Sequence, residues 1–376
     1  MSENSKQFYG GQAVLEGVMM RSKAAYATAV RRMDGSIVVG TRALNTLTQR
    51  YRWASWPLVR GNVALVDSLT MGLESLNFSG NVALEDEARE RAADQDLTAG
   101  ERQAREVAAA EAHAQDQQVQ SLGEKALWLT MLPAMAIGIG LFVLLPAWAV
   151  DWFMGGQEVT VTGGFGEVFF RNLVEGGIRL VVIVAYIGGI SLIPYVRRVF
   201  EYHGAEHATI NTFEDTGRVG VQEALSHSPL HPRCGTAFLL VVIAVKIVVN
   251  CFLGWPVLWL RLLLRLAVLP PIAGIAYEVI HWAGRHRGSV LEMVLAGPGL
   301  LMQKLTTRRP KPDQIEVAIH ALAAVAPEVD LPPGFEQPER VTIGRGGQIV
   351  REGEPPDPVQ LQEQQEEEKA RSAGSM

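Results

Sequence analysis

Apolar residues crowd into the middle of this chain, from about residue 126 to 305, and thin out on either side. Within that stretch, Ala126 to Trp148, Ile178 to Val196, Thr236 to Leu253 and Val257 to Trp282 each approach the ~20 apolar residues that cross ~30 Å of hydrocarbon. The last run is interrupted by Arg261, Arg265 and the pair Pro270-Pro271, so its first turns are expected in the interface with the arginines snorkelling to the headgroups. The pattern predicts a mainly α protein, a four-span α-helical membrane bundle with a small N-terminal cytoplasmic α+β region. The lipid bilayer is its first expected partner.

The flanks divide further. In residues 1–80, Ala27 to Met33 and Ser36 to Val39 flank Asp34-Gly35, a hairpin signal. Leu58, Val66, Leu69, Leu73 and Leu76 then recur at helical spacing, which predicts an amphipathic helix on the membrane surface or against the bundle. Residues 81–122, rich in Ala, Glu, Gln and Arg, read as a charged linker, helical or disordered. The membrane domain occupies 123–283 and carries a cytoplasmic loop at 197–235. Residues 284–326 hold a cytoplasmic or re-entrant segment broken at Gly297-Pro298-Gly299, followed by a helix from Ile315 to Val325. The stretch 327–376, rich in Pro, Glu and Gln, is expected to be a disordered tail.

Charge sets the orientation. The formal net charge is −6, and most of the acid lies between Glu85 and Glu124 and in the tail, leaving no basic footprint for nucleic acid. Arg31, Arg32, Arg52 and Arg60 precede the first run, Arg197 and Arg198 follow the second, and Arg285 and Arg287 follow the fourth. The loop between the first two runs carries Asp151, Glu158, Glu167 and Glu175 against Arg171. The positive-inside rule therefore places both termini and the middle loop in the cytoplasm. The polar start, Met1 to Gln7, has no apolar core for a cleaved signal peptide. Two cysteines, Cys234 and Cys251, exclude a disulfide framework, and Cys251 sits in an apolar run as a small hydrophobe. Lys246, near mid-depth in the third run, costs ~2.5–3.5 kcal/mol if left charged in lipid, so it is expected to face other helices or to be neutral. Glu175 and Arg179, one turn apart, are expected to pair.

Candidate chemistry is concentrated in the middle loop, where four of the eight histidines fall between residues 203 and 231. In Tyr202-His203-Gly204-Ala205-Glu206-His207, a helix would put His203, Glu206 and His207 on one face, with Glu214 and, more loosely, Asn211 on the same stripe. Histidines at i and i+4 can chelate one ion, and His-x-x-Glu-His is the spacing of inverted zinc peptidases, whose glutamate is the general base. The same spacing also describes histidines on a wet helix face. A second group, Ser226 to Thr236, adds His227, His231 and Cys234. His231-x-x-Cys234 is a short chelating spacing, and thiolate with imidazole suits zinc. His227 reads as a bystander or a support to a ligand. Glu278 and His281, at the end of the fourth run, offer a further contact or a membrane-edge pair. Two arrangements follow: a closed tetrahedron of His203, His207, His231 and Cys234, or an open site of three ligands with a water activated beside Glu206.

Six segments taken together, Gly10 to Arg21, Tyr202 to His207, His231 to Thr236, Pro298 to Leu300, Thr306-Thr307 and Gln314 to Ile319, resemble the signatures of the YqhQ-like bacterial membrane family of unknown function. The likeness covers about residues 8 to 325. It implies an integral protein of the bacterial inner membrane with a metal-dependent activity and no established substrate. This chain departs from the expected pattern at Ala208, where a lysine is expected, and at Arg309, where an acidic residue is expected. Gln12, Glu16 and Arg21 could reach the site, although the glycines around them also read as turn packing.

The expectation is thus a metal-dependent integral membrane enzyme, a hydrolase at the cytoplasmic membrane face. Zinc or another divalent metal would be held by His203, His207, His231 and Cys234. Glu206 would be the base, with Asn211, Glu214, His227 and Glu278 in support. The substrate would be a peptide or a lipid. The alternative is a non-enzymatic membrane scaffold or assembly factor with a structural metal. A transporter is disfavoured by the few paired charges expected at mid-membrane.

Overall fold

The computed structural model describes residues 9–44, 46–93, 132–155, 161–232, 234–285, 290–329, 331–332 and 334–351. Its strands are β1 (Gly10–Val14), β2 (Gly17–Arg21), β3 (Ala25–Arg31), β4 (Ile37–Ala43), β5 (Glu339–Ile343) and β6 (Ile349–Val350). Its main helices are α1 (Val59–Ala93), α2 (Leu132–Met154), α3 (Val161–Ile190), α4 (Pro194–Thr216) and α5 (Val221–Ser226). They continue with α6 (Gly235–Cys251), α7 (Leu258–Ala267), α8 (Leu269–Arg285), α9 (Val290–Thr306) and α10 (Pro312–Val325). The described chain is mostly helical, with the sheet built largely from its N-terminal region.

The strands form one sheet in the order β1-β2-β3-β4-β5-β6, antiparallel except where β5 runs parallel to β4. The expected hairpin is β3–β4. Gly35 takes the positive φ of +90° that the turn needs, and Asp34 accepts the Ser36 N–H at 2.9 Å. Successive strand residues point to opposite faces, and here both faces are buried. Val14, Met19, Val30 and Val38 pack with Met71, Phe78 and Val82 of α1. Val18, Met20, Ala29 and Val39 pack with Tyr202 and Ile210 of α4 and with Ile315, Ile319 and Leu322 of α10. The sheet is therefore a middle layer, and its strands read as near-continuous apolar runs because both sides are covered.

Several expectations are corrected. Part of the stretch expected to be a disordered tail, 327–376, returns to the sheet as β5 and β6, with Val341 and Ile343 buried. The first part of the expected linker at 81–122 continues α1 to Ala93, and the rest lies outside the described residues. Of the first expected span, Leu132–Met154 is a helix of 23 residues, and 126–131 also lie outside. The second span lies further toward the N-terminus, at Gly164–Ile190. It stops there because Ile193, extended before proline, cannot stay helical, and Pro194 opens α4 in a new direction. The third, α6, has 17 residues, and its apolar part, Phe238–Cys251, is shorter still. The fourth is a pair, α7 and α8, bent by 48° just before Pro270-Pro271. Two helices, or three if the bent pair is one span, are long and apolar enough to cross a membrane among the described residues, where four were expected.

Arg261 and Arg265 do not snorkel. One turn apart on α7, they point inward and are 2% and 6% exposed. Arg261 grips Asp151 of α2 at 2.7 Å and lies over the Trp255 ring at 4.1 Å. Arg265 reaches Glu175 of α3 at 2.6 Å and Asn172 at 3.0 Å. Glu175 also pairs with Arg179 at 2.7 Å. Lys246 of α6 lines a water-sized cavity beside Glu175, Arg179 and Asn250. Charges in the apolar helices are thus paired more densely than the spacing along the chain suggested.

Candidate functional site

α4 turns the apolar helices toward the sheet. Its first turns follow Ile193, and its later turns, from Tyr202 to Thr212, are buried against β1, β2 and α10. The helix therefore carries His203, Glu206 and His207 into the junction between the sheet layer and the apolar helices. Gly204 lets the chain after α9 approach: a Cβ there would lie 1.9 Å from the Arg308 carbonyl oxygen. The Arg308 N–H in turn donates to the Phe200 carbonyl at 2.9 Å. That approach delivers the Thr306 carbonyl to His203.

Both histidines are oriented by main-chain oxygens. His203 Nδ1 lies 2.9 Å from the Thr306 carbonyl and His207 Nδ1 lies 2.8 Å from the Pro229 carbonyl. A carbonyl only accepts, so each Nδ1 carries a proton, and in the neutral ring that leaves the Nε2 lone pair for a ligand. This is the arrangement that outer partners impose on metal-binding histidines. Cys234, which caps the start of α6, brings its Sγ to 3.4 Å from His203 Nε2. One ligand atom from each of His203, His207 and Cys234 lies within 4.8 Å of the others. Burial pushes the His207 imidazole pKa down, with Cys234 opposing, which favours the neutral ring.

The loop that supplies the cysteine is fastened at several points. Asn211 donates to the carbonyls of Ser228 at 2.8 Å and Leu230 at 3.0 Å. Gln303 of α9 accepts the His231 N–H and donates to the His231 carbonyl, both at 2.8 Å. Helical spacing and chelating motifs point to neither Gln303 nor Thr306 as a support, although Thr306-Thr307 is one of the family-like segments. A buried glutamine in an apolar helix was the available signal.

The other expected residues are placed differently. His231 lies tilted beside His207, ring centres 5.6 Å apart, with its Nε2 4.0 Å from Glu214, and stands next to the group of three. His227 faces the Glu223 carbonyl at 2.8 Å and Asp215 at 3.4 Å. Glu278 is held by Arg60 at 2.8 Å and lies outside the cavity lining. The clamp between α1 and α8 accounts for it. Glu16 pairs with Arg198 and Tyr202.

Glu206 is 4% exposed, beside the His/Cys group. It accepts the N–H of Gly11 in β1, while its Oε2 has no hydrogen-bond partner. Burial raises its pKa, opposed by His203 and His231 and by the Gly11 bond. Glu206, the histidines and Cys234 share a cavity of about 540 Å³ whose opposite wall is β1, from Gly10 to Ala13, with Gln12 and Arg21 also on the lining. The volume is in the range of small-molecule and peptide sites.

A two-sided α/β layer joined to apolar helices, with a His/His/Cys group and a buried carboxylate at the junction, defines the class. The family described as "Protein of unknown function (DUF1385)" matches residues 56–328, and the chain belongs to it. It is also similar to the "Uncharacterized protein YqhQ" of Bacillus subtilis (strain 168), 32% identical over 314 residues, which are 83% of this chain and 90% of that protein. No solved structure matches. The YqhQ-like resemblance of the motifs is therefore a family membership.

Proposed function

We propose that the protein is a metal-dependent hydrolase of the bacterial inner membrane, working at the cytoplasmic face with both termini on that side. The observation that carries this is the pairing of two carbonyl-anchored histidines with Cys234, next to a buried carboxylate with one unpartnered oxygen, along the wall of a shared cavity. The donor set fits zinc. Two imidazole nitrogens and a thiolate, all within 4.8 Å of one another, are the donor types zinc takes. His203, His207 and Cys234 would hold the ion, with His231 in reserve beside His207, and Glu214 would steady His231. The ion would supply Lewis acidity.

The chain's own residues supply the rest. Glu206 would act as the base that takes a proton from water, while Gly11 holds one side of its carboxylate. Water is split across the scissile bond. Its hydroxyl goes to the electrophilic centre, and the proton held by Glu206 goes to the departing atom. Asn211 and Gln303 keep the loop of Cys234 and His231 from drifting. A peptide or a lipid headgroup both satisfy this chemistry.

Metal analysis of the purified full chain tests it. We expect about one zinc per chain in the wild type, less than a tenth of that in His203→Asn, and near wild-type zinc in Glu206→Gln. Glu206→Gln should lose the cellular phenotype of the wild type while keeping the ion. Wild-type protein with no transition metal sinks the proposal. A Glu206→Gln chain that keeps both ion and phenotype favours a scaffold with a structural ion.

A further inference from the structure

The geometry points to an extended peptide as the substrate, bound as an added strand along the free edge of β1 and resting on the hydrolase reading above. Among the described residues β1 is the outermost strand on its side of the sheet. In its pairing with β2, Val14 lies opposite Gly17 and closes the two-residue turn Leu15-Glu16. Opposed residues of an antiparallel pair alternate between hydrogen-bonded and non-bonded. Val14, Gln12 and Gly10 thus bond to β2, while Ala13 and Gly11 turn their main-chain groups outward.

That outward edge is a wall of the cavity. Gly10, Gly11, Gln12 and Ala13 all line it, opposite His203, His207 and Cys234. Gly11 is exposed, and a Cβ built on Gly10 would meet nothing within 4 Å. Gly10 leaves the main chain bare where a second main chain would pass, while a Cβ on Gly11 would meet the Met19 carbonyl at 2.2 Å. An added strand runs ~4.7–4.9 Å from its neighbour. Glu206 Oε1 stands beside Gly11 on its side-chain face, 3.1 Å from where a Cβ would be. A peptide bonded to the Ala13 N–H and to the carbonyls of Ala13 and Gly11 would therefore carry its backbone past Glu206 and the His/Cys group. Main-chain bonding gives affinity with little demand on sequence. A lipid headgroup has no use for a row of main-chain donors and acceptors.

Hydrolysis of such a peptide consumes one water. The amide C–N bond breaks, the hydroxyl joins the acyl carbon, and the proton taken by Glu206 goes to the departing nitrogen. No oxidant or reductant enters.

The full chain, zinc-loaded in nanodiscs, would be incubated with a proteome-derived peptide library, and new termini mapped by mass spectrometry. In parallel it would be given vesicles of phosphatidylglycerol and phosphatidylethanolamine. We expect new peptide termini in the wild type, a loss of at least tenfold in Ala13→Pro at unchanged zinc content, and none in Glu206→Gln. A cleaved peptide resynthesised with N-methyl groups at the paired positions should lose at least tenfold in cleavage by the unaltered protein, which covers the case of an Ala13→Pro chain that misfolds. Headgroup release with the peptides untouched overturns the peptide while leaving the hydrolase standing. Cleavage indifferent to N-methylation overturns the edge. A zinc-loaded chain that cleaves neither overturns the peptide proposal together with the hydrolase, and the metal assay above separates that result from loss of the ion.

Discussion

At the scale of single residues, helical spacing was enough to group His203, Glu206 and His207, because one face of one helix is a local property. It could not say which of His231 and Cys234 completes the group. That depends on the path of the loop, which Asn211 and Gln303 fix from two other helices. Glu278 misled for the same reason: its partner, Arg60, is 218 positions away in the chain. Gly204 shows how narrow the tolerance is. Its replacement by alanine places a methyl 1.9 Å from the Arg308 oxygen, a main-chain atom that cannot rotate away. The segment from Thr306 to Arg308 must retreat, taking with it the carbonyl that orients His203. Gly204→Ala should therefore cost ~1–3 kcal/mol as overpacking and lower zinc affinity at least tenfold. Thermal unfolding and competition with a chromogenic chelator would measure the two effects. Unchanged zinc affinity would separate the carbonyl from the site.

At the scale of elements, the hairpin of β3 and β4 and the final helix were legible because their signals are local: a turn dipeptide, a 3.6-residue period. β5 was not. Arg340-Val-Thr-Ile343 is a short alternating run inside a stretch rich in proline and acid, and its partner, β4, lies some 300 residues earlier. A parallel pairing at that distance leaves no mark in the neighbouring sequence. Its weight in the fold is nonetheless considerable. Val341 and Ile343 join the core formed by Phe78, Val82 and Val38, and Arg32, buried beside Asp86, also bonds Glu339 at 3.1 Å. Full burial of each aliphatic side chain is worth ~1.5–3 kcal/mol. A chain ending at Pro338 should therefore unfold at a markedly lower temperature than the full chain, with exposure of the α1 side of the sheet visible as faster amide exchange in β3 and β4. Equal melting temperatures would show that the strand contributes nothing to the layer.

At the scale of the whole molecule, the chain joins two differently stabilised parts, and α4 and α6 meet at their seam. The sheet layer is held by apolar burial on two faces. The apolar helices, whose outward residues such as Leu132, Val181 and Trp259 remain exposed, are cross-linked by ion pairs that few sequence signals revealed. A charge pattern along one helix names candidates for pairing but not the helix that answers. Asp151 and Arg261 provide the clearest case. They tie the end of α2 to α7, Trp255 donates to the same carboxylate at 2.9 Å, and Arg261 is 2% exposed. Removing one member of such a pair costs more than the pair contributes, because the survivor is left without a counter-charge in an apolar surrounding. Asp151 retains some exposure, with 24% of its side chain accessible, so Asp151→Leu alone should fall at the lower end of the ~3–5 kcal/mol seen for broken buried pairs, and Arg261→Met alone is the other single variant. Replacing both, Asp151→Leu with Arg261→Met, should return stability to within ~1 kcal/mol of the wild type. The comparison is a double-mutant cycle on urea unfolding in detergent. Single and double variants of equal stability would mean that the pair is a solvated contact, and the helices would then owe their arrangement to packing alone.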